Sequence, residues 1–254
     1  MNTVILCEGF DDVLFLGYYI HKISNYPKWI YQPRAKISDN FSLPLRNERS
    51  EKQEIYTRGR DKLLIWCVGG KDCFDFAIKS IYKINTTFPL ERFEEIILFS
   101  DRDNEDVITT VLRIQDLFKN NGWNILLENN MRNLLQYVVE NESYDINISP
   151  IIIPFDKNGA LETILMDAIA ETSQEDEYVV KSAQEYIDNI INSKRLTKYL
   201  QQHRLILKAK FSAVISITNP DRSTSTFDKL LITHDWETKD RVKTHLNLIA
   251  RIFR

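Results

Sequence analysis

Four short apolar runs, none broken by polar residues, constrain this chain more than any other feature. They are residues 3–7 (TVILC), 63–68 (LLIWCV), 96–99 (IILF) and 151–155 (IIIPF). A strand with one wet face alternates apolar and polar side chains, whereas a strand covered on both faces is apolar throughout. Residues 123–127 (WNILL) add a further predicted strand. Helix-spaced apolar residues separate the runs. Val13, Leu14, Leu16 and Ile20 follow the first, a helical pattern over 72–84 follows the second, and Val107, Val111, Ile114 and Phe118 share one face after the third. Covered strands interleaved with helices predict an α/β fold, with a mostly parallel sheet flanked by helices. Beyond Pro154 the pattern becomes helical, over 159–171, 177–192, 196–217 and 239–253. The expected organisation is an α/β domain over 1–155 and a mainly helical C-terminal region over 156–254.

Charge is unevenly spread. The 254 residues carry a formal charge of -3 and are 43% hydrophobic, which excludes disordered and collagen-like classes. Residues 194–254 hold 13 Lys and Arg against 5 Asp and Glu, a balance of +8, so residues 1–193 stand at -11. A uniformly basic nucleic-acid binder is excluded; a chain with a basic surface on one part is not. Residues 26–62 form a polar, basic insertion with Pro27, Pro33 and Pro44 and nine Lys and Arg against five acids. A long basic loop in a compact domain either binds something or is a solvated insertion. On the first alternative, Arg46, Arg49, Arg58, Arg60 and Lys62 would grip a phosphate backbone.

The three cysteines, Cys7, Cys67 and Cys73, are odd in number, lack CxxC or zinc spacing, and lie partly within apolar runs, against a disulfide framework. The N-terminus MNTVILCEGF is not a signal peptide, and no apolar run approaches the ~20 residues that span a bilayer. A cytoplasmic protein without a membrane partner is expected.

Two of the apolar runs end in acids. Glu8 follows the first, and Asp101 and Asp103 follow the third. Strand C-terminal ends line the ligand crevice of open parallel sheets. Residues two apart on extended backbone point the same way, so Asp101 and Asp103 form a pair, which Glu8 would face if the two strands are neighbours. Converging carboxylates repel, and a bound cation removes that penalty. Hard oxygen donors suit Mg²⁺ or Mn²⁺.

VILCEGFDDVLFL, with Glu8, Gly9 and Asp12, and EEIILFSDRDNED, with Asp101 and Asp103, together resemble the two motifs of the Toprim domain. Topoisomerases, primases, small ribosomal-RNA maturases and overcoming-lysogenization-defect (OLD) nucleases share that module. The resemblance covers roughly residues 1–155, and Gly69-Gly70 matches the intervening turn. Asn104-Glu105-Asp106 stands where larger Toprim enzymes often carry a small residue. The chain has no room for a strand-passage domain and lacks the zinc ribbon of a primase. It is similar to the nuclease half of the OLD family without its ATPase, and it contains no Walker-type phosphate loop.

The OLD-like resemblance implies more. Glu162, opening a helix after the 151–155 run, would supply an acid for a second metal, ahead of Asp156 and Asp167. It could equally be a first-turn acid favoured by the helix dipole. In the segment KAKF, Lys208 or Lys210 would face the scissile phosphate. The implied function is Mg²⁺- or Mn²⁺-dependent hydrolysis of phosphodiester bonds in DNA or RNA, with two ions. Glu8 would act as ligand or general base, Asp101 and Asp103 as ligands of one metal, and Asp12 would join Glu162 in holding or orienting a second metal site. Defence against phage is implied by resemblance alone. The alternative is a Toprim-like nucleic-acid or nucleotide binding module that acts with a separate ATPase. A homodimer is compatible with either.

Overall fold

The computed structural model describes residues 1–33, 43, 45–46, 50–222 and 226–254. The chain forms two compact units. One comprises Met1–Ser100, Asp106–Ile152 and Ile252–Arg254; the other comprises Asp101–Glu105 and Ile153–Arg251.

The first unit is built on a seven-stranded sheet. Its strands are β1 (Asn2–Cys7), β2 (Ile30–Gln32), β3 (Lys52–Arg58), β4 (Asp61–Cys67), β5 (Glu95–Asp101), β6 (Asn133–Val139) and β7 (Glu142–Ile153), in the order β2-β3-β4-β1-β5-β7-β6. β1 pairs in parallel with β4 on one side and β5 on the other, with Leu6 opposite Trp66 and Leu98. The first and third runs are therefore neighbours, the condition left open by the sequence. β7 continues the parallel set. Asn147 donates to Glu94 near the start of the pairing and Arg102 donates to Ile153 at its end, so both strands run in one sense. Antiparallel pairs β2–β3, β3–β4 and β6–β7 finish the two margins. The result is a mixed α/β fold whose four central strands are parallel.

Burial explains the unalternated runs. Val4, Leu6, Leu64, Trp66, Ile96 and Leu98 share a core with α2 (Phe74–Thr87) and α3 (Val107–Asn120). Ile55 joins that core opposite Leu64, so its neighbour Tyr56, opposite Leu63, points to the other face. There it meets α1 (Phe10–Ile23): a Cβ at Gly17 would collide with the Tyr56 hydroxyl. Strand–helix approach at this point requires glycine.

Three segments depart from the sequence expectations. The 26–62 segment contains β2, β3 and the start of β4; in KQEIYTR the adjacent Ile55 and Tyr56 stand among polar residues, so neither an unbroken apolar run nor an alternation marks the strand. Residues 123–127 form no strand. Trp123, Ile125 and Leu127 are buried in alternation, and the Leu127 N–H donates to the Gln115 side chain at 3.1 Å instead of joining a ladder. The strand after β5 in this region is β6, which the turn residues Glu140 and Asn141, both at positive φ, fold back onto β7.

The second unit is helical. α4 (Leu161–Ala170) packs against α5 (Gln174–Asn192), α6 (His203–Thr218) and α8 (Asp240–His245), with α7 (Phe227–Leu231) between α6 and α8 in sequence. The expected final helix is interrupted at Leu246, and α9 (Asn247–Phe253) follows. Among the described residues no helix is long and apolar enough to cross a membrane.

One buried charge secures the β5–β7 region. Glu95 has no exposed surface; it accepts from Arg132 at 2.5 and 3.0 Å and from Ser149 at 3.1 Å. Burial pushes its carboxyl pKa up, with Arg132 opposing that shift. Removing one member of a buried pair strands the other charge, at roughly 3–5 kcal/mol. Arg132→Ala is expected to fall near the lower figure, because Ser149 still donates. A protonated Glu95 needs no cation, so the variant's deficit should shrink as pH falls. Urea denaturation of both chains at neutral and mildly acidic pH measures this; an equal deficit at the two pH values would refute it.

Candidate functional site

In the first unit, Glu8 lies one residue beyond β1, where the register Cys7 to Phe99 carries on to Ser100. The Ser100 hydroxyl donates to Glu8 Oε1 at 2.5 Å, and Lys71 Nζ stands 3.9 Å from the same oxygen. Lys71 follows Gly69-Gly70, both at positive φ, at the end of β4. Lys71 and Ser100 also line a cleft of about 220 Å³ with Arg113 of α3. Asp12 is buried at the third position of α1, and its Oδ2 accepts the Gly9 N–H at 2.8 Å. The start of α1 is thus held by Asp12 reaching back to the N-cap residue Gly9.

In the second unit, Asp101–Glu105 is tied to the segment before α4. Asp103 and Gly159 exchange backbone hydrogen bonds at 2.7 and 2.8 Å. Asp103 has φ 55°, a left-handed conformation that Asp tolerates better than most residues. A Cβ at Gly159 would collide with the Thr163 hydroxyl, so the chain passes there only as glycine. Asp101 Oδ1 accepts the Leu161 N–H at 2.9 Å and so satisfies a first-turn donor of α4, which its own N-cap, Ala160, leaves without a side-chain partner. Glu162 is the next residue. It is 9% exposed, and Lys208 Nζ of α6 lies 2.8 Å from its Oε1. Two acids therefore stand at the positive end of α4.

The structure separates the paired alternatives. Lys208 meets Glu162, whereas Lys210 turns to Asp188 of α5 at 2.7 Å. Asp156 and Asp167 are engaged elsewhere, by Arg241 at 2.9 Å each, with Lys157 also on Asp167 at 2.6 Å. Among the described residues, no three His, Cys, Asp or Glu side chains are gathered as a metal-ligand group.

The basic residues of 26–62 scatter. Arg58 donates to the Phe253 carbonyl at 2.8 Å and stacks over Trp29, so it fastens the C-terminus. Arg46 is bonded to Cys73 and lies 3.7 Å from Glu51. Arg60 is exposed in the β3–β4 turn and Lys62 is half-buried on β4. Arg49 lies outside the described residues.

A family model described as "Protein of unknown function (DUF3226)" matches residues 2–251. The chain belongs to this family. A crystal structure of a hypothetical protein from Pyrococcus horikoshii OT3 is similar, at TM-score 0.50 and 16% identity, covering 99% of this chain and 98% of that one. At that identity the likeness speaks for the fold alone. No curated protein matches the chain.

Two residues beside the candidate acids in this DUF3226 chain escape sequence inspection. Lys71 was signalled only by its place after Gly-Gly at a strand end, and Ser100 only by preceding Asp101. A third, His245, is buried in the second unit. Its Nδ1 accepts the Phe155 N–H at 3.2 Å, which leaves the proton on Nε2, 3.6 Å from Asp156. Burial, then the Arg241 charge, lower its pKa to about 4. The folded chain therefore binds fewer protons than the unfolded one between about 6.5 and about 4. This contribution to stability is complete above that window and fades as pH falls through it. His245→Gln should flatten the acid side of the stability curve; melting temperatures across the window, unchanged in slope by the substitution, would dismiss the assignment.

Proposed function

We propose that the protein is a Mg²⁺- or Mn²⁺-dependent nuclease that hydrolyses phosphodiester bonds of DNA or RNA. The observation that carries this reading is the 2.8 Å pairing of Glu162 with Lys208. The OLD-like resemblance points separately to Glu162 and to Lys208 or Lys210, from segments some 46 positions apart, and Glu162 and Lys208 meet in the second unit. The donor chemistry fits a hard divalent cation, since Asp101, Asp103 and Glu162 offer carboxylate oxygens. An ammonium already balances Glu162.

On this reading Asp101, Asp103 and Glu162 would hold metal, and Glu8 would serve as ligand or as base toward the attacking water. When bound, the cation supplies charge stabilisation on the phosphoryl oxygens. Lys208 would place its ammonium against the phosphate as charge develops there. Ser100 and Lys71 keep the Glu8 carboxylate oriented, each through the contact described. The +8 balance of residues 194–254 supplies attraction for a polyanion. The protein would work in the cytoplasm, in defence against phage or mobile elements as the resemblance implies.

The test incubates plasmid DNA and a structured RNA with Mg²⁺ or Mn²⁺. Wild type should cleave, Asp101→Ala and Glu8→Ala should not, and Lys208→Ala should be slower by about 10²-fold or more. Cleavage that survives both acid substitutions would sink the site. Metal-dependent binding without cleavage would favour the alternative, a Toprim-like binding module that acts with a separate ATPase.

A further inference from the structure

Among the described residues β6 is the terminal strand of its margin, and its sequence, NLLQYVV, contains no charge. Edge strands in native proteins are commonly guarded by Lys, Pro, a bulge or a covering element. Here Leu134 and Val138 are instead 58% and 69% exposed on the solvent face.

The direction of the backbone groups follows from the pairing. β6 and β7 are joined through two residues at positive φ, so Val139 and Glu142 form a hydrogen-bonded pair. Alternate pairs along the ladder then point away from each other, among them Leu134 with Asn147. The Asn147 N–H does turn away, donating to Glu94 at 3.0 Å. Leu134, Gln136 and Val138 consequently present their N–H and C=O groups outward from the sheet.

We infer that β6 is a dimerisation edge, on which a second copy of this chain adds its own β6 antiparallel, with the two-fold axis at Gln136. That register pairs every outward-facing residue with another. Gln136 meets Gln136, and Leu134 meets Val138 in both halves, which brings apolar side chains together on the exposed face. The charges at the strand ends complement each other. Arg132, with a side chain still 46% exposed beside its bond to Glu95, comes opposite Glu140 of the other copy, and the reverse contact follows by symmetry. A register shifted by one residue would set outward groups against inward ones, so self-pairing is restricted to even steps.

Sedimentation velocity of the full chain over a concentration series tests the interface, with circular dichroism to check folding. Wild type should show a monomer–dimer equilibrium. Leu134→Lys alone and Val138→Glu alone each put one charge against an apolar partner and should weaken the dimer by about tenfold or more. The two substitutions combined set Lys opposite Glu in both halves and should restore association. A wild type that stays monomeric overturns the proposal. So do single variants that dimerise as well as wild type, and a combined variant that associates no better than the singles.

Discussion

Everything in the first unit depends on β1 having backbone partners on both sides and side-chain cover on both faces. Its residues from Thr3 to Cys7 are buried without exception. A strand so placed cannot carry a polar side chain without a partner, and it fixes the ends of its neighbours by register. Cys7 stands opposite both Cys67 and Phe99, so the residues that follow this last paired row are Glu8, Val68 and Ser100. The chemistry-bearing residues of that unit appear where the apolar requirement stops.

Cationic side chains then decide how the acids can be held. Glu8 has Lys71 and a serine hydroxyl, Glu162 has Lys208, and Glu95 has Arg132. The three differ in consequence. Glu95 is fully enclosed with satisfied partners and is a structural anchor, whereas Glu8 and Glu162 retain some exposure. Charge balance near an acid therefore does not by itself mark function.

The central strands were legible because burial on both faces leaves a local signature, and helix periodicity located α2, α3, α4 and α5 within a few residues. What local pattern could not convey was partnership. Residues 123–127 have the alternation of a strand and the burial that goes with it, but strand status needs a neighbouring backbone, which β6 takes up in that region. β3 and β6 lie in the antiparallel parts of the sheet and have polar or half-exposed positions, so their composition resembles loop. The choice between Lys208 and Lys210 was also beyond sequence. Two residues apart on a helix lie on nearly opposite sides, so only the packing of α6 decides which one meets Glu162. The hydrogen bond between Asp12 and Gly9 spans three residues, the reach of a helix-start contact, so it was readable from the spacing of the motif.

The chain passes between the two units at Ser100–Asp101, Glu105–Asp106, Ile152–Ile153 and Arg251–Ile252. Neither unit is one continuous stretch. The five residues Asp101–Glu105 leave the sheet strand, pair with Gly159 and Leu161 of the later segment, and return to start α3. A gene cut at residue 152 would give a fragment whose Asp101 and Asp103 had lost their hydrogen-bonding partners, and a second fragment whose α4 had lost its donor-satisfying acid. In genetic terms the Asp-x-Asp loop is a stitch: neither unit can be copied out of the gene as one uninterrupted segment.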